Sequence, residues 1–358
     1  MTADLAKASR IRGLDGIRAL AVIAVFLNHR SPLRATQVGH IGVLIFFALS
    51  GYLVIGILHR ERRAIEAGAR SFGAALAEFL KRRTLRIFPV YYATLAALAV
   101  LALIGHPAPG WRWDALPWHL GYLSNVYAGR ILGDWQGSLS HLWSLSIEEQ
   151  FYLVAAGVLL LIPSAWSLAT CLIAAGAGLV VHALLVAGGA TPVAIYTDSW
   201  SNFTWLALGG ALRIAFDGRA WTSAALWAWP LGVLVAAAAL VPQSAPQAVQ
   251  LVSIPLGAAA AGLFVLAISK AQDGRLVAIL EHPEIVRLGA ISYGFYLFHN
   301  LFYLYVPLKG PAGVLVGMAL NFAASYALAY ASWRLFERPV QRLGSQIAFR
   351  KLMRLIPA

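Results

Sequence analysis

The chain has 358 residues, of which 60% are hydrophobic and only 12% charged, with a mean hydropathy of +0.71. A soluble domain averages about a quarter charged residues, so composition excludes an ordinary water-soluble enzyme and predicts an all-α, polytopic helical membrane protein. The net charge of +13, from 28 Lys+Arg against 15 Asp+Glu, then reports topology rather than nucleic-acid binding, and the single cysteine, Cys171, rules out an intramolecular disulfide.

Apolar stretches near the ~20 residues that cross a bilayer recur along the whole chain. They predict ten spans, at about 14–31, 41–58, 87–105, 144–162, 166–188, 200–215, 222–241, 249–268, 290–307 and 312–333, the sixth being the shortest. With the N-terminus in the cytoplasm and loops alternating in side, the cytoplasm holds 23 of the 28 Lys and Arg, and only Arg30, Arg34, Arg112, Arg130 and Lys309 fall outside. That bias is what the positive-inside rule requires, and it predicts both termini in the cytoplasm. The first apolar run continues without a small-residue cleavage site, so no cleavable signal peptide is expected. No appended soluble domain is expected either: residues 1–345 read as one transmembrane domain and 346–358 as a basic cytoplasmic tail.

Ionisable groups inside a bilayer are costly and mark function by default. In the first span, GLDGIRALAVIAVFLNHR, Arg18 and His29 are eleven residues apart, which returns a helix to within about 20° of the same face and separates the two by roughly 16 Å along the axis. They are either a snorkelling Arg and an interfacial His, or two working groups on one stripe, with Asp15 placed to pair with Arg18. In the second span, Ser50-Gly51 permits close approach, by another helix or by a ligand. The segment 59–86 between the second and third spans has helical periodicity in its second half and ends in the basic run KRRTLR. Arg83 and Arg86 share a helix face and suit phosphate, because each guanidinium offers two parallel donors; stop-transfer charge or anionic lipid is the other reading.

The Trp-, Gly- and Pro-rich loop 106–143 predicts an ordered cap, although an aromatic belt would also account for its tryptophans. The stretch that follows, HLWSLSIEEQFY, opens the fourth span and carries His141, Glu148 and Glu149 into it. Two adjacent carboxylates cannot both face lipid, so one should point inward, to form a salt bridge, orient a histidine or accept a proton. In the ninth span, ISYGFYLFHN puts Ser292 and His299 on one face, with a buried hydrogen-bonded His as the plain alternative. In LFERPVQRL, Glu337 beside Arg334 and Arg338 reads as an interfacial charge cluster.

Arg18 and His29 with ten residues between them, FFALSG, RTLR, HLWSLSIEEQFY, ISYGFYLFH and FERP occur in this order across positions 13–339. Together they resemble the acyltransferase-3 family of integral membrane acyltransferases. The resemblance implies transfer of an acyl group, commonly acetyl, from cytoplasmic acyl-CoA to a cell-surface glycan, lipid-linked glycan or small molecule at the outer face of the inner (plasma) membrane. Family roles carry over onto His29 as catalytic base or nucleophile, with Glu149 or Glu148 as its carboxylate, and onto Arg18, Arg83 and Arg86 for the donor, whose thin arm would pass Ser50 and Gly51. His141, Trp143, Ser144, Tyr296 and His299 are then candidates around the acceptor and the oxyanion. Direct attack by the acceptor and an acyl-His29 intermediate both stay open. No metal is expected, and the oligomeric state is not legible. A transporter or flippase with a His/Glu relay would use the same buried groups, and a structural glycan-synthesis partner without activity is the third reading.

Overall fold

The computed structural model describes residues 10–301, 303–307 and 310–343, so the predicted basic tail 346–358 lies outside the described residues. Among them the chain is helical, with one isolated bridge between Thr36 and Pro242. The principal helices are α1 (Leu14–Arg30), α2 (Val38–Glu66), α3 (Phe72–Leu103), α4 (Leu142–Leu159), α5 (Ser167–Ala187), α6 (Ser199–Ala215), α7 (Ala224–Ala239), α8 (Gln247–Lys270), α9 (Pro283–Ala290), α10 (Ser292–Phe298) and α11 (Gly310–Ser332).

A helix falls at each predicted span, but five are long and apolar enough to cross a membrane by length and composition: Val38–Glu66, Phe72–Leu103, Ser164–Ala187, Val249–Lys270 and Gly310–Leu343. The ninth predicted span is not one helix. α9 and α10 are separate short helices and residues 303–307 form no regular element, so the apolar run 290–307 is broken in its middle.

α2 is the axis of the fold: 78% of its most apolar stretch is buried, against 17% for Ser164–Ala187. A helix apolar on every side belongs in the interior. Its close neighbour is α6, and the crossing is made by glycines: a Cβ on Gly51 would stand 1.8 Å from the Leu206 carbonyl oxygen, and one on Gly209 would stand 2.1 Å from that of Ala48. Small residues let two backbones meet in this way inside a membrane, and they also explain why the sixth span looked weak as a hydropathy signal.

α1 starts at Gly13, whose φ of 85° suits glycine, and whose N–H donates to Glu281 Oε1 at 2.7 Å. It ends at Ser31, whose hydroxyl donates to the Leu27 carbonyl at 2.7 Å and accepts from the Leu33 N–H at 3.1 Å. That double use converts the helix end into the short turn Pro32–Ala35. The loop between α3 and α4 is ordered, as predicted: it is built of short helical turns from Trp113 to Leu139, and its Tyr122 ring stacks on Tyr91 at 4.4 Å.

The FERP segment departs from expectation. A π-turn at Trp333–Glu337 rotates Glu337 inward, where it is buried and accepts from Ser332 Oγ at 2.9 Å. Arg338 meanwhile lies over the Trp333 ring, 5.1 Å from its centroid.

Candidate active site

Two cavities lie end to end between α1, α2, α4 and α10. The smaller, ≈ 80 Å³, is a basic chamber, and its charged and polar lining includes Arg18 from α1, Ser50 from α2, Arg83 and Arg86 from α3, Ser144 and Glu148 from α4, and Ser292 from α10. The spacing of each helix sets this lining. Ser144, Glu148 and Tyr152 fall at i, i+4 and i+8, and Val43, Phe46, Ser50 and Leu53 form a matching stripe on α2.

Arg18 is held by Asp15 at 2.8 Å, the partner its spacing predicted. Glu148 Oε1 accepts from Ser50 Oγ at 2.7 Å, and Tyr152 donates to the same Ser50 oxygen at 3.2 Å. The Arg83 guanidinium lies over the Tyr152 ring, 5.0 Å from its centroid. Arg83 and Arg86 also line a groove with Glu61 and Glu78 at the other mouth of the chamber, so the guanidinium pair stands at the passage between the two.

The larger cavity, ≈ 500 Å³, is lined by His29, His141, Trp135, Trp143, Tyr196 and a set of amides: Asn28, Gln37, Gln243 and Gln250. The loop pairing that brings Ala35 and Gln37 to Val241 and Gln243 places those amides. Val43 and Tyr296 line both cavities and form the wall between them. Tyr296 Oη and Ser144 Oγ are 2.6 Å apart, and each reaches the His141 carbonyl, at 3.1 and 3.2 Å.

The break after α10 organises the imidazoles. A helix end leaves carbonyls without backbone partners, and here three of them are taken by side chains. Tyr296 C=O accepts from His299 Nδ1 at 2.6 Å, Leu297 C=O from His141 Nε2 at 3.0 Å, and His299 C=O from Arg30 at 3.0 Å. His299 Nε2 faces His29 Nδ1 at 3.0 Å.

The protonation pattern follows from these partners. A carbonyl only accepts, so His299 Nδ1 carries the hydrogen and its Nε2 the lone pair. His29 Nδ1 must then donate to His299, which leaves the lone pair of a neutral His29 on Nε2. The second imidazole, His299, thus fixes the tautomer of His29. Among the described residues no group of three His, Cys, Asp or Glu side chains is placed to hold a metal ion.

The sequence-derived candidates divide clearly. Arg18, Arg83, Arg86, Ser50, Glu148 and Ser144 line the basic chamber; His29, His141 and Trp143 line the histidine cleft; Tyr296 lines both. His299 is buried behind His29 as its hydrogen-bond partner. Glu148 bonds Ser50 on the chamber side, so the group orienting His29 is an imidazole where a carboxylate was expected. Glu149, one residue on and about 100° around the helix, is buried away from both cavities, and its Oε1 has no hydrogen-bond partner among the described residues. Gly51 lies against α6 rather than in the chamber wall. Sequence reasoning missed Tyr152, although it closes the quoted HLWSLSIEEQFY stretch, and Asn28, the polar neighbour of His29. It had no signal for Trp135, Tyr196 and the glutamines, which come from loops and distant helices.

An all-helical membrane domain with a basic chamber, a shared wall and a cleft holding a base-ready histidine defines a class: integral membrane group-transfer proteins. Over residues 11–330 the chain matches the family model described as "Acyltransferase domain", and it belongs to that family, acyltransferase-3, as the motif resemblance implied. Among curated relatives, Peptidoglycan O-acetyltransferase OatA of Listeria monocytogenes is 36% identical over 158 residues, 42% of this chain and 24% of the relative. O-acetyltransferase OatA of Staphylococcus aureus is 35% identical over 149 residues, 40% of this chain and 23% of the relative. Putative peptidoglycan O-acetyltransferase YrhL of Bacillus subtilis is 36% identical over 155 residues, with 40% and 23% covered. The matches thus span about a quarter of the relatives' length. No solved structure matches the chain.

Proposed function

We propose that the protein is a membrane O-acyltransferase that moves an acyl group, acetyl in the first instance, from cytoplasmic acyl-CoA to a glycan hydroxyl at the outer face. The observation that carries this reading is the file of groups from Arg83 and Arg86, through the Tyr296–Ser144 wall, to His29. Family membership and relatives named as O-acetyltransferases point the same way.

In this reading Arg83 and Arg86 hold the CoA phosphates at the cytoplasmic mouth, since guanidinium pairs match phosphate oxygens. The slender pantetheine arm lies in the basic chamber beside Ser50, with its thioester at the shared wall. The acceptor lies in the histidine cleft, where Trp and Tyr rings and side-chain amides suit sugar faces and hydroxyls. His29 Nε2 takes the proton of the acceptor hydroxyl as its oxygen attacks the thioester carbon. The charge gained by His29 is shared through Nδ1–H with His299. The hydroxyls of Ser144 and Tyr296 donate to the oxyanion. Collapse breaks the carbon–sulfur bond, and the proton held on His29 Nε2 passes to the leaving thiolate, giving the ester and free CoA thiol.

Purified protein in lipid nanodiscs, supplied with acetyl-CoA, tests the reading. Unaltered protein should bind CoA and release free thiol in the presence of a peptidoglycan-derived acceptor. His29→Ala should still bind CoA but not release it, and Arg83→Ala with Arg86→Ala should lose binding. Protein that neither binds CoA nor cleaves the thioester would overturn the donor assignment.

A further inference from the structure

A third cavity, ≈ 660 Å³, reaches His29 from the other side, and the residues it shares with the histidine cleft are His29 and Arg34. Its remaining polar wall is Arg30, Ser31, Tyr303, Tyr305 and Asn321. This wall is built rather than incidental. The Ser31 double bond turns the chain at the end of α1 and presents Arg34, which is exposed. The Asn321 side chain of α11 pairs with both the N–H and the C=O of Leu304, at 2.9 and 3.0 Å, and so holds the non-helical segment that carries Tyr303 and Tyr305. Arg30 lies over Tyr303, 5.3 Å from the ring centroid, while it donates to the His299 carbonyl.

Charge placement says what such a cleft is for. On the ten-span topology only five of the 28 cationic residues lie outside the cytoplasm. Two of them have carboxylates for company: Arg112 with Asp114 at 3.1 Å, and Arg130 with Asp198 at 3.6 Å. Arg30 and Arg34 both line one cleft beside His29, and Arg34 makes no ion pair among the described residues. Two guanidiniums concentrated where positive charge is otherwise scarce form a local attraction for anions, and tyrosine rings next to them supply flat faces for a sugar.

We propose that this cleft binds an anionic group of the acceptor, a carboxylate or a phosphate, through Arg34 with Arg30, so that the acceptor straddles His29. The inference rests on the acyltransferase reading and adds the charge of the substrate to it. A glycan with a sugar carboxylate and a glycan on a prenyl diphosphate both meet the requirement.

The test uses three acceptors with the full-length protein in nanodiscs: a carboxylate-bearing disaccharide, its neutral carboxamide, and a prenyl-diphosphate-linked disaccharide. Acetyl transfer from acetyl-CoA is followed with time. The unaltered protein should prefer one or both anionic acceptors over the neutral one by about tenfold or more in kcat/KM, the size of one charge-assisted contact. Which anionic acceptor wins identifies the source of the charge. Inorganic pyrophosphate should compete with the acceptor, raising its KM. Arg34→Gln should lower the preference toward one, mainly through KM, and Arg34→Lys should restore part of it, with thermal unfolding showing that both variants fold. Equal use of charged and neutral acceptors by the unaltered protein, or a preference that Arg34→Gln leaves intact, overturns the anionic subsite while the acyltransferase reading stands. No transfer to any acceptor and no thioester cleavage overturns both.

Discussion

In the proposed reaction the residue that decides the chemistry is His29, and what orients His29 is its neighbour. His299 Nδ1–H is tied to the Tyr296 carbonyl, its Nε2 receives His29 Nδ1–H, and His29 Nε2 is left with the lone pair that the proposed base needs. His29→Ala should lower acyl transfer by ~10²- to 10⁴-fold, the range for a general base, measured as ester formed per minute at saturating acetyl-CoA. His299→Phe keeps the aromatic bulk but removes the acceptor for His29 Nδ1–H. Its kcat should fall at least about tenfold with little change in acceptor KM, since a buried donor is left unpaired; an unchanged kcat would show that the pair is only structural.

The sequence marked both histidines and placed Arg18 and His29 on one stripe, and the stripe does run from one cavity to the next. It could not pair His29 with His299. Periodicity tells which face a side chain takes, whereas this pair is separated by 270 positions and meets only through the packing of α10 against α1. Glu148 and Glu149 show the same limit: both were legible as carboxylates inside a span, but which one faces the cavity depends on the rotation of α4, which an all-round apolar helix does not reveal.

At the scale of elements, the α2–α6 crossing seats the helix that carries one wall of the chamber. Gly51 sits where a Cβ would overlap the Leu206 backbone, on the helix that carries Ser50 and Val43 into the cavity wall. Gly51→Val must push α6 away or unseat Ser50. We expect a loss of about 1–3 kcal/mol, typical of overpacking, seen as a lower thermal midpoint in detergent, and weaker CoA binding with it. Ser50 and Gly51, adjacent in the sequence, thus do different work: one lines the chamber and one closes the helix pair. Hydropathy located a helix at every predicted span, because burial and lipid contact both select apolar residues. It could not see that the ninth stretch is broken, because the segment stays apolar while its backbone carbonyls turn to His141, His299 and Arg30 for partners.

At the scale of the whole molecule, charge is sorted by position. The guanidiniums of Arg83 and Arg86 stand at one mouth of the cavity system and the imidazoles at the other, with Tyr296 and Ser144 between. Because the phosphate contacts of a donor would be electrostatic, CoA affinity should fall steeply with ionic strength. The paired substitution of Arg83 and Arg86 by Ala should both weaken binding by at least about tenfold and flatten that salt dependence, as followed by titration calorimetry. The motif set made the family legible from residues alone, and the match over residues 11–330 bears it out. The histidine cleft was only partly legible: His29, His141, Trp143 and Tyr296 stood out as candidates, but Gln37, Trp135, Tyr196, Gln243 and Gln250 reach the same wall from loops and other helices that no local pattern connects.

In the proposed reaction an acyl group crosses from CoA on one side to an acceptor on the other through His29. Proteoliposomes with labelled acetyl-CoA added only on the side of Arg83 and Arg86, and a glycan acceptor enclosed on the side of His29, measure this directly. The account predicts label on the enclosed glycan with the unaltered protein and none with His29→Ala. Intact thioester and unlabelled glycan with the unaltered protein would contradict it.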